Sequence, residues 1–274
     1  AAGIAGGGVF RDLPRGNEPT RLAFVVPADA RAADPGLDAA LLAAIAGRGR
    51  QLVGGWPGQG VVAPLAGDAV RAGVLTPTGN TFCAGADLAE GAREGGPAKG
   101  VARLVALLRQ IIELDKPVVA KVDGNVRAGG LGLFAACDLT VAGLTSSFAL
   151  TEARLGLSPA VISLTVLPRL TDRAASRYYL TGDRFDAAEA ERIGLVTITA
   201  EDPDAAVAEL AASFRRCSAQ GLAASKQLTT HAMLTTFVSD AERLIEMSAT
   251  LFSSEDAQEG IASFMERRPP RWAE

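Results

Sequence analysis

The sequence predicts an α/β fold followed by a helical C-terminal region. Apolar stretches typical of strands alternate with helical patterns over about the first 200 residues, and this alternation favours parallel strands joined by right-handed crossovers. From about Pro203 onward the pattern is almost entirely helical. We therefore divide the chain into an extended or disordered arm at 1–20, an α/β core at 21–200 and a helical oligomerisation region at 201–274.

The strands of the core are predicted from short runs rich in valine, leucine and isoleucine. These runs lie at 22–26, 70–76, 117–122, 139–142 and 196–198. An Ala/Leu-rich segment at 37–45 and apolar residues recurring at helical spacing over 101–112 predict two helices between the strands. Pro117 marks the end of the second helix, because the residue before a proline is disfavoured in a helix.

The helical region contains four amphipathic segments, at 205–216, 222–233, 238–252 and 255–266. Amphipathic helices that cannot bury their apolar faces alone usually pack on another subunit. We therefore expect this region to drive oligomerisation. A further segment, the Gly-rich stretch 47–67, is long for a loop in a compact domain. We interpret it as either a mobile binding loop or an insertion.

The composition argues against several classes of protein. The net charge is −4 over 274 residues, which does not favour a basic nucleic-acid surface. The one histidine, His231, and three cysteines without C-x-x-C spacing offer little for a histidine-based triad or a zinc site. The N-terminus does not have the pattern of a signal peptide, and no apolar run reaches transmembrane length. We expect a cytoplasmic protein with no metal and no membrane insertion.

Two glycine-rich turns each follow a predicted strand. In FCAGADL, at 82–88, the small residues Ala84, Gly85 and Ala86 allow a ligand to approach the main chain, and Asp87 is placed to cap a helical turn. In GNVRAGGLGL, at 124–133, glycines begin an apolar helix and present free N–H groups at its positive end. Two such turns could stabilise one oxyanion. Equally, each could serve close packing of a helix on a sheet.

A lone carboxylate stands in the apolar run FALTEARLGLSP, at 148–159. From its neighbours alone, Glu152 is either a surface group paired with Arg154 or a neighbouring arginine, or a general base whose pKa is raised by partial burial.

In order and spacing, these motifs resemble those of the crotonase superfamily, the enoyl-CoA hydratase/isomerase family. The resemblance is carried by FCAGADL, KPVVAKVDGNVRAGGLGL, ACDLTVA, FALTEARLGLSP, LPRL, YYLTGDRFDAAEAERIGLV and EGIASFMERRPPRW. It implies a crotonase-type (ClpP-like) spiral of β-β-α units, with C-terminal helices that form a homotrimer or a dimer of trimers. It also implies an acyl-CoA substrate, with coenzyme A as part of that substrate and no further cofactor.

The resemblance assigns roles to particular residues. The backbone N–H groups of Ala86 and Gly129 form an oxyanion hole for the thioester, and Glu152 is the acid/base. Arg31 and Ala33 lie in the segment that contacts the CoA adenine and pantetheine. Arg267 either meets a CoA phosphate of a neighbouring subunit or is a solvated charge. The remaining substrate-binding positions are Ala84, Gly85, Asp87, Leu88, Gly130, Leu131, Gly132, Leu150, Pro159 and Ala160.

The chain departs from the family at two places in the acyl site. Hydratases of the family carry a second glutamate, and here that position is Gly132. A Gly-rich run usually follows the proline at position 159, and here it is Ala-Val-Ile-Ser at 160–163. Both features are similar to a subgroup that handles branched acyl-CoAs, such as methylglutaconyl-CoA hydratases. We expect an enoyl-CoA hydratase. An isomerase that uses the lone glutamate and a non-catalytic acyl-CoA-binding paralogue are the alternatives.

Overall fold

A computed structural model of the protein describes residues 22–27, 70–77, 81–83 and 97–273, with the backbone alone for 22–27, 70 and 97–99. The predicted arm at 1–20, the helix at 37–45 and the loop at 47–67 lie outside these residues. The predicted α/β class with a helical C-terminal region is confirmed.

The first sheet has the strand order β1-β2-β4-β6-β9. Strand β1 runs antiparallel to β2, and the other neighbours are parallel. All five strands are among those expected, although the last begins two residues later than the sequence indicates. Their bounds are β1 Leu22–Pro27, β2 Val70–Leu75, β4 Val118–Val122, β6 Leu139–Gly143 and β9 Ile198–Ala200.

A second sheet, in the order β3-β5-β7-β8, was not expected from the sequence. Its strands are β3 Thr81–Cys83, β5 Asn125–Arg127, β7 Ser147–Ala149 and β8 Phe185–Asp186. Strands of two or three residues are too short to show the period-2 pattern that identifies a strand. The first three are parallel, and β8 is antiparallel to β7. The segments 82–88 and 124–133, which the sequence indicates as glycine-rich turns, therefore each contain part of a short strand, and these two strands, β3 and β5, are parallel neighbours.

The helices surround the two sheets. Their bounds are α1 Pro97–Glu113, α2 Gly129–Ala136, α3 Ser163–Val166, α4 Asp172–Thr181, α5 Ala187–Arg192, α6 Pro203–Arg215, α7 Ala219–Phe252 and α8 Glu255–Glu266. Short 3₁₀ helices lie at Glu152–Leu155, Leu167–Arg169 and Arg271–Ala273. No helix in the described part of the chain is long and apolar enough to cross a membrane.

Aromatic rings fill the core beside the second sheet. Phe134 of α2 stands edge-on to Phe82 of β3, with ring centroids 5.5 Å apart, and lies 5.6 Å from Phe148 of β7. Phe148 in turn stacks on Phe185 of β8, which packs against Tyr178 of α4. Strands β3, β7 and β8 thus each contribute one aromatic ring, and this packing holds the second sheet against α2 and α4.

The C-terminal helices pack on the body of the same chain. Helix α6 covers the first sheet, while α7 places Met233, Phe237 and Leu244 in the main core. Helix α7 is continuous, whereas the sequence indicated two helices separated between 233 and 238. The intervening residues contain neither glycine nor proline, and the hydroxyl of Thr236 bonds back to the carbonyl of Ala232, so nothing there ends the helix.

Lys226 of α7 is buried, with only 5% of its surface exposed. Its ammonium group donates hydrogen bonds to the carbonyls of Ile111 (2.8 Å) and Lys116 (3.0 Å) and to Asp138 Oδ2 (2.7 Å). Asp138 also accepts a hydrogen bond from the N–H of Val118. A buried lysine is tolerated because all three of its donors are satisfied.

Candidate active site

Three of the predicted motifs leave the same edge of the second sheet. Strands β3, β5 and β7 are parallel neighbours, with Cys83 opposite Val126 and Arg127 opposite Ala149. The segments after these strands therefore emerge side by side at their carboxyl ends, where ligands bind in many α/β proteins. Of the three segments, 84–88 lies outside the described residues, and the other two contain Gly129 and Glu152.

Helix α2 begins directly against the end of β3. A Cβ on Gly130 would lie 2.7 Å from Cys83 Cβ and 2.8 Å from the Cys83 carbonyl oxygen, so only glycine permits this approach. The residue before the helix, Ala128, has φ 46° and ψ −128°, a conformation costly for a residue with a side chain. Its N–H bonds to the Ala149 carbonyl, and its own carbonyl accepts the N–H of Leu131. The amides of Gly129 and Gly130 lie within this first turn, where N–H groups lack intrahelical partners.

Glu152 opens the 3₁₀ helix that follows β7. Its side chain is partly covered overall, yet its Oε2 atom is buried without a hydrogen-bond partner in the described structure. Burial raises the pKa of this carboxyl to about 7, against a smaller opposing effect of its own backbone N–H. Such a group exchanges protons readily near neutral pH, which is the property that a general acid/base needs.

Arg154 does not pair with Glu152, so the interpretation of Glu152 as a surface ion pair is wrong. The guanidinium of Arg154 donates to the Thr181 carbonyl (2.8 Å) and to Asp183 Oδ1 (2.7 Å) at the end of α4. It also packs over Gly182, where a Cβ would lie 2.9 Å from Arg154 Nε. Arg154 therefore ties the 3₁₀ helix of Glu152 to the end of α4.

Helix α8 supports the same 3₁₀ helix from the other side. A Cβ on Gly260 would lie 2.4 Å from the Leu155 carbonyl oxygen, and one on Gly156 would lie 2.5 Å from the Asp256 carbonyl carbon. Gly156 ends the 3₁₀ helix with a positive φ of 69°, a conformation that glycine adopts without strain. These close contacts between main chains hold Glu152 between α4 and α8.

Gly132 faces a branched side chain. A Cβ at this position would lie 2.4 Å from Ile162 Cγ2 and 2.7 Å from Ile162 Cβ. Ile162 is only 2% exposed, and its Cβ is too close to the main chain to move aside cheaply. The volume next to the second-glutamate position is thus filled by isoleucine, and the two departures from the family pattern form one complementary pair.

The other predicted site residues are distributed as follows. Gly130, Leu131, Leu150, Pro159 and Ala160 are buried around the segments just described. Arg267 ends α8 with a positive φ of 55° and is exposed. Ala84, Gly85, Ala86, Asp87, Leu88, Arg31 and Ala33 lie outside the described residues. Within the described ranges, no three His, Cys, Asp or Glu side chains converge as metal ligands would.

One polar residue near Glu152 was not singled out from the sequence. Tyr179, in α4, has a buried hydroxyl with no hydrogen-bond partner in the described structure. Burial raises the pKa of this phenol, and the charge of Glu152 raises it further. In the sequence it is the second half of an ordinary Tyr-Tyr pair on a helix, and nothing there distinguishes it from its neighbour Tyr178.

Comparison with known proteins gives consistent matches. A family model described as enoyl-CoA hydratase/isomerase matches residues 61–274. The solved structure of an enoyl-CoA hydratase from Mycobacterium avium is 57% identical, with a TM-score of 0.70, and the match covers 74% of this chain and 80% of that one. The mevalonyl-coenzyme A hydratase of Aspergillus fumigatus is 31% identical over 216 residues, 74% of this chain and 78% of that protein. The mitochondrial methylglutaconyl-CoA hydratase of Rattus norvegicus is 32% identical over 202 residues, 70% of this chain and 64% of that protein.

Proposed function

Because the chain belongs to the enoyl-CoA hydratase/isomerase family, the crotonase superfamily, we propose that it adds water to the double bond of an α,β-unsaturated acyl-CoA, with Glu152 as its acid/base. The observation that carries this proposal is the Glu152 carboxyl, with its buried, unpartnered Oε2 and its pKa of about 7. Coenzyme A enters as part of the substrate.

In the proposed reaction the thioester oxygen accepts hydrogen bonds from the backbone N–H groups of Gly129 and Ala86. The start of α2 supports the first of these, since an alanine held at φ 46° directly before the helix fixes how the next amide points. Donors preorganised for the charge that develops on the thioester oxygen lower the barrier, and losing one typically costs about 100- to 1000-fold in rate. The role of Ala86 rests on the family resemblance.

Glu152 then carries the proton through the reaction. Its carboxylate takes a proton from water, and the water oxygen forms a bond to the β-carbon. The electron pair of the double bond moves toward the α-carbon and the thioester oxygen. Glu152 returns the proton to the α-carbon and ends in its starting state, so that one carboxylate serves as base and then as acid.

A branched acyl group is our proposal for the substrate. Ile162 lies against Gly132, and together with its neighbours Ala160 and Val161, which are also buried, it replaces a glycine-rich run of the family. The methylglutaconyl-CoA hydratase among its relatives acts, by its name, on a branched acyl-CoA. Isomerisation is the second candidate, because a site with a single glutamate at Glu152 and glycine at 132 is sufficient to move a proton between carbons.

We also propose that the working form is a homotrimer or a dimer of trimers. Helix α7 buries one face in its own chain but leaves Leu228 and Val238 about four-fifths exposed, at 81% and 77%. Exposed apolar side chains of this size on one long helix are typical of a surface that a further subunit covers. The mass in sedimentation, compared with 28.1 kDa for one chain, tests this directly.

A substrate panel tests the proposed activity. Crotonyl-CoA, 3-methylglutaconyl-CoA and a β,γ-unsaturated acyl-CoA are each mixed with the protein while the enoyl-thioester absorbance and free thiol are followed. Loss of absorbance without thiol release, fastest for the branched ester, is expected. A gain of absorbance from the β,γ-ester alone would favour the isomerase. No change with any ester, together with measurable binding of the CoA esters, would overturn both and leave a binding protein.

A further inference from the structure

Tyr179 and Glu152 present two buried oxygens with no partner in the described structure. Tyr179 Oη and Glu152 Oε2 each have almost no accessible surface and no hydrogen bond there. Leaving a buried polar group unsatisfied costs about 1–3 kcal/mol, so such groups are retained chiefly where function uses them. Two of them on elements that pack together call for a common explanation.

Glu152 and Tyr179 lie on two elements that pack against each other. Glu152 opens the 3₁₀ helix, and Arg154 from the same helix bonds to Thr181 and Asp183 at the end of α4. Tyr179 lies two residues before Thr181, and its ring packs against the main core. The two groups also interact electrostatically, because the charge of Glu152 raises the pKa of the Tyr179 phenol.

Hydration needs a second ligand for the attacking water, and the position of the family's second glutamate does not supply one in this chain. In the two-glutamate scheme, the pair holds and orients the attacking water. Here the second glutamate is replaced by Gly132, and Ile162 fills the adjoining volume. A positioned water needs at least two polar partners, and Glu152 alone provides one.

We propose that Tyr179 is a second catalytic residue, whose hydroxyl oxygen accepts one hydrogen bond from the attacking water while Glu152 accepts the other. This inference rests on the proposed hydratase function. With both water protons held, an oxygen lone pair is free to attack the β-carbon. The proton that leaves the water goes to Glu152, and Tyr179 stays neutral throughout, so the proton count of the reaction is unchanged.

The test compares Tyr179→Phe with Tyr178→Phe. Tyr178 is the adjacent residue of the same helix, but its hydroxyl donates to Glu189 Oε1 (2.8 Å), away from Glu152. Two reactions are measured: hydration of the best enoyl-CoA of the panel, and exchange of the α-protons of butyryl-CoA with deuterated water. Exchange needs Glu152 and the oxyanion hole but no attacking water.

We expect Tyr179→Phe to lose about 10- to 100-fold in kcat for hydration, the scale of misplacing one reacting group, with KM and α-proton exchange little changed. Tyr178→Phe should leave both rates unchanged. The midpoint temperature of thermal unfolding should be no lower for Tyr179→Phe than for the parent protein, since the deleted oxygen has no partner in the described structure.

Each contrary result is decisive. Hydration within threefold of the parent protein in Tyr179→Phe would overturn the role of Tyr179 while leaving the hydratase function intact. A parallel loss of hydration and exchange would show that the residue shapes the site rather than holds water, and a marked loss of stability would show that its hydroxyl has a structural partner. Absence of hydration in the parent protein would instead overturn the proposed function itself.

Discussion

The environment of Glu152 sets the pH range in which this site can work. Its pKa is raised from 4.5 to about 7 by burial, and only the carboxylate form can take a proton from water. We therefore expect kcat/KM for hydration to rise with pH, reach half its maximum near pH 7 and level off above pH 8. A profile that is flat between pH 5.5 and 8 would contradict this assignment.

The same pKa makes a prediction about stability. Because the folded pKa lies above the unfolded value, the protonated form is favoured in the native state. The contribution of Glu152 is therefore present below about pH 4.5 and is lost as pH rises to about 7. At about 1.4 kcal/mol per pKa unit, the loss is on the order of 3 kcal/mol. Unfolding in denaturant measures this change. The free energy of unfolding of Glu152→Gln, relative to that of the parent protein, should be higher at pH 8 than at pH 4.5 by this amount.

The contact between Gly132 and Ile162 is testable as a pair. Gly132→Ala places a methyl group 2.4 Å from Ile162 Cγ2, and overpacking of this kind costs about 1–3 kcal/mol. The penalty should fall only in part in an Ile162→Ala background, because alanine keeps the Cβ that lies 2.7 Å from the added methyl group, and a double-mutant cycle of unfolding free energies measures the difference. Equal penalties in both backgrounds would show that Ile162 does not fill this volume.

Among the elements, α8 acts as a support for the 3₁₀ helix of Glu152. Gly260→Ala should destabilise the protein and lower kcat, although alanine is the better helix former by about 1 kcal/mol, because its Cβ would lie 2.4 Å from the Leu155 carbonyl oxygen. Gly100→Ala in α1 is the matched control. None of the described residues comes within 4 Å of a Cβ there, so stability should rise and activity should stay constant. Equal stability and equal kcat of the two variants would show that α8 does not support the 3₁₀ helix of Glu152.

Helix α7 is anchored to the core through one buried ion pair. Lys226→Ala leaves the carboxylate of Asp138, only 15% exposed, without its cation, and breaking such a pair costs about 3–5 kcal/mol. Glu113→Ala breaks the pair with Arg109, in which the two side chains are 45% and 47% exposed, and should cost less than about 1 kcal/mol. Unfolding in urea distinguishes the two, and similar losses would show that the first pair is not the anchor.

For the whole molecule, the sequence predicts the crotonase-type fold and the first sheet. The fold and the family are confirmed by the match of 61–274 and by the similar solved structures. This part was predictable because strand composition, helical spacing and ordered motifs are local properties of the chain. The roles of Ala86, Gly129 and Arg267 stay predictions.

The parts that the sequence did not reveal depend on contacts between distant segments. The second sheet is formed by two- and three-residue strands that exist only by pairing. Lys226 pairs with Asp138, which is 88 residues away in the chain. Tyr179 is a candidate site residue only because the folded chain brings its helix close to Glu152. Such features arise from tertiary packing, so local sequence patterns do not predict them.

The variant Glu152→Gln tests whether Glu152 carries the proton in the proposed hydration of an enoyl-CoA. The substitution keeps the shape of the side chain and removes its acid/base function. Hydration of the preferred enoyl-CoA and α-proton exchange of butyryl-CoA should both fall by at least about 100-fold, the lower range for loss of a general acid/base, while acyl-CoA binding measured by calorimetry stays nearly unchanged. Turnover equal to that of the parent protein would contradict the account.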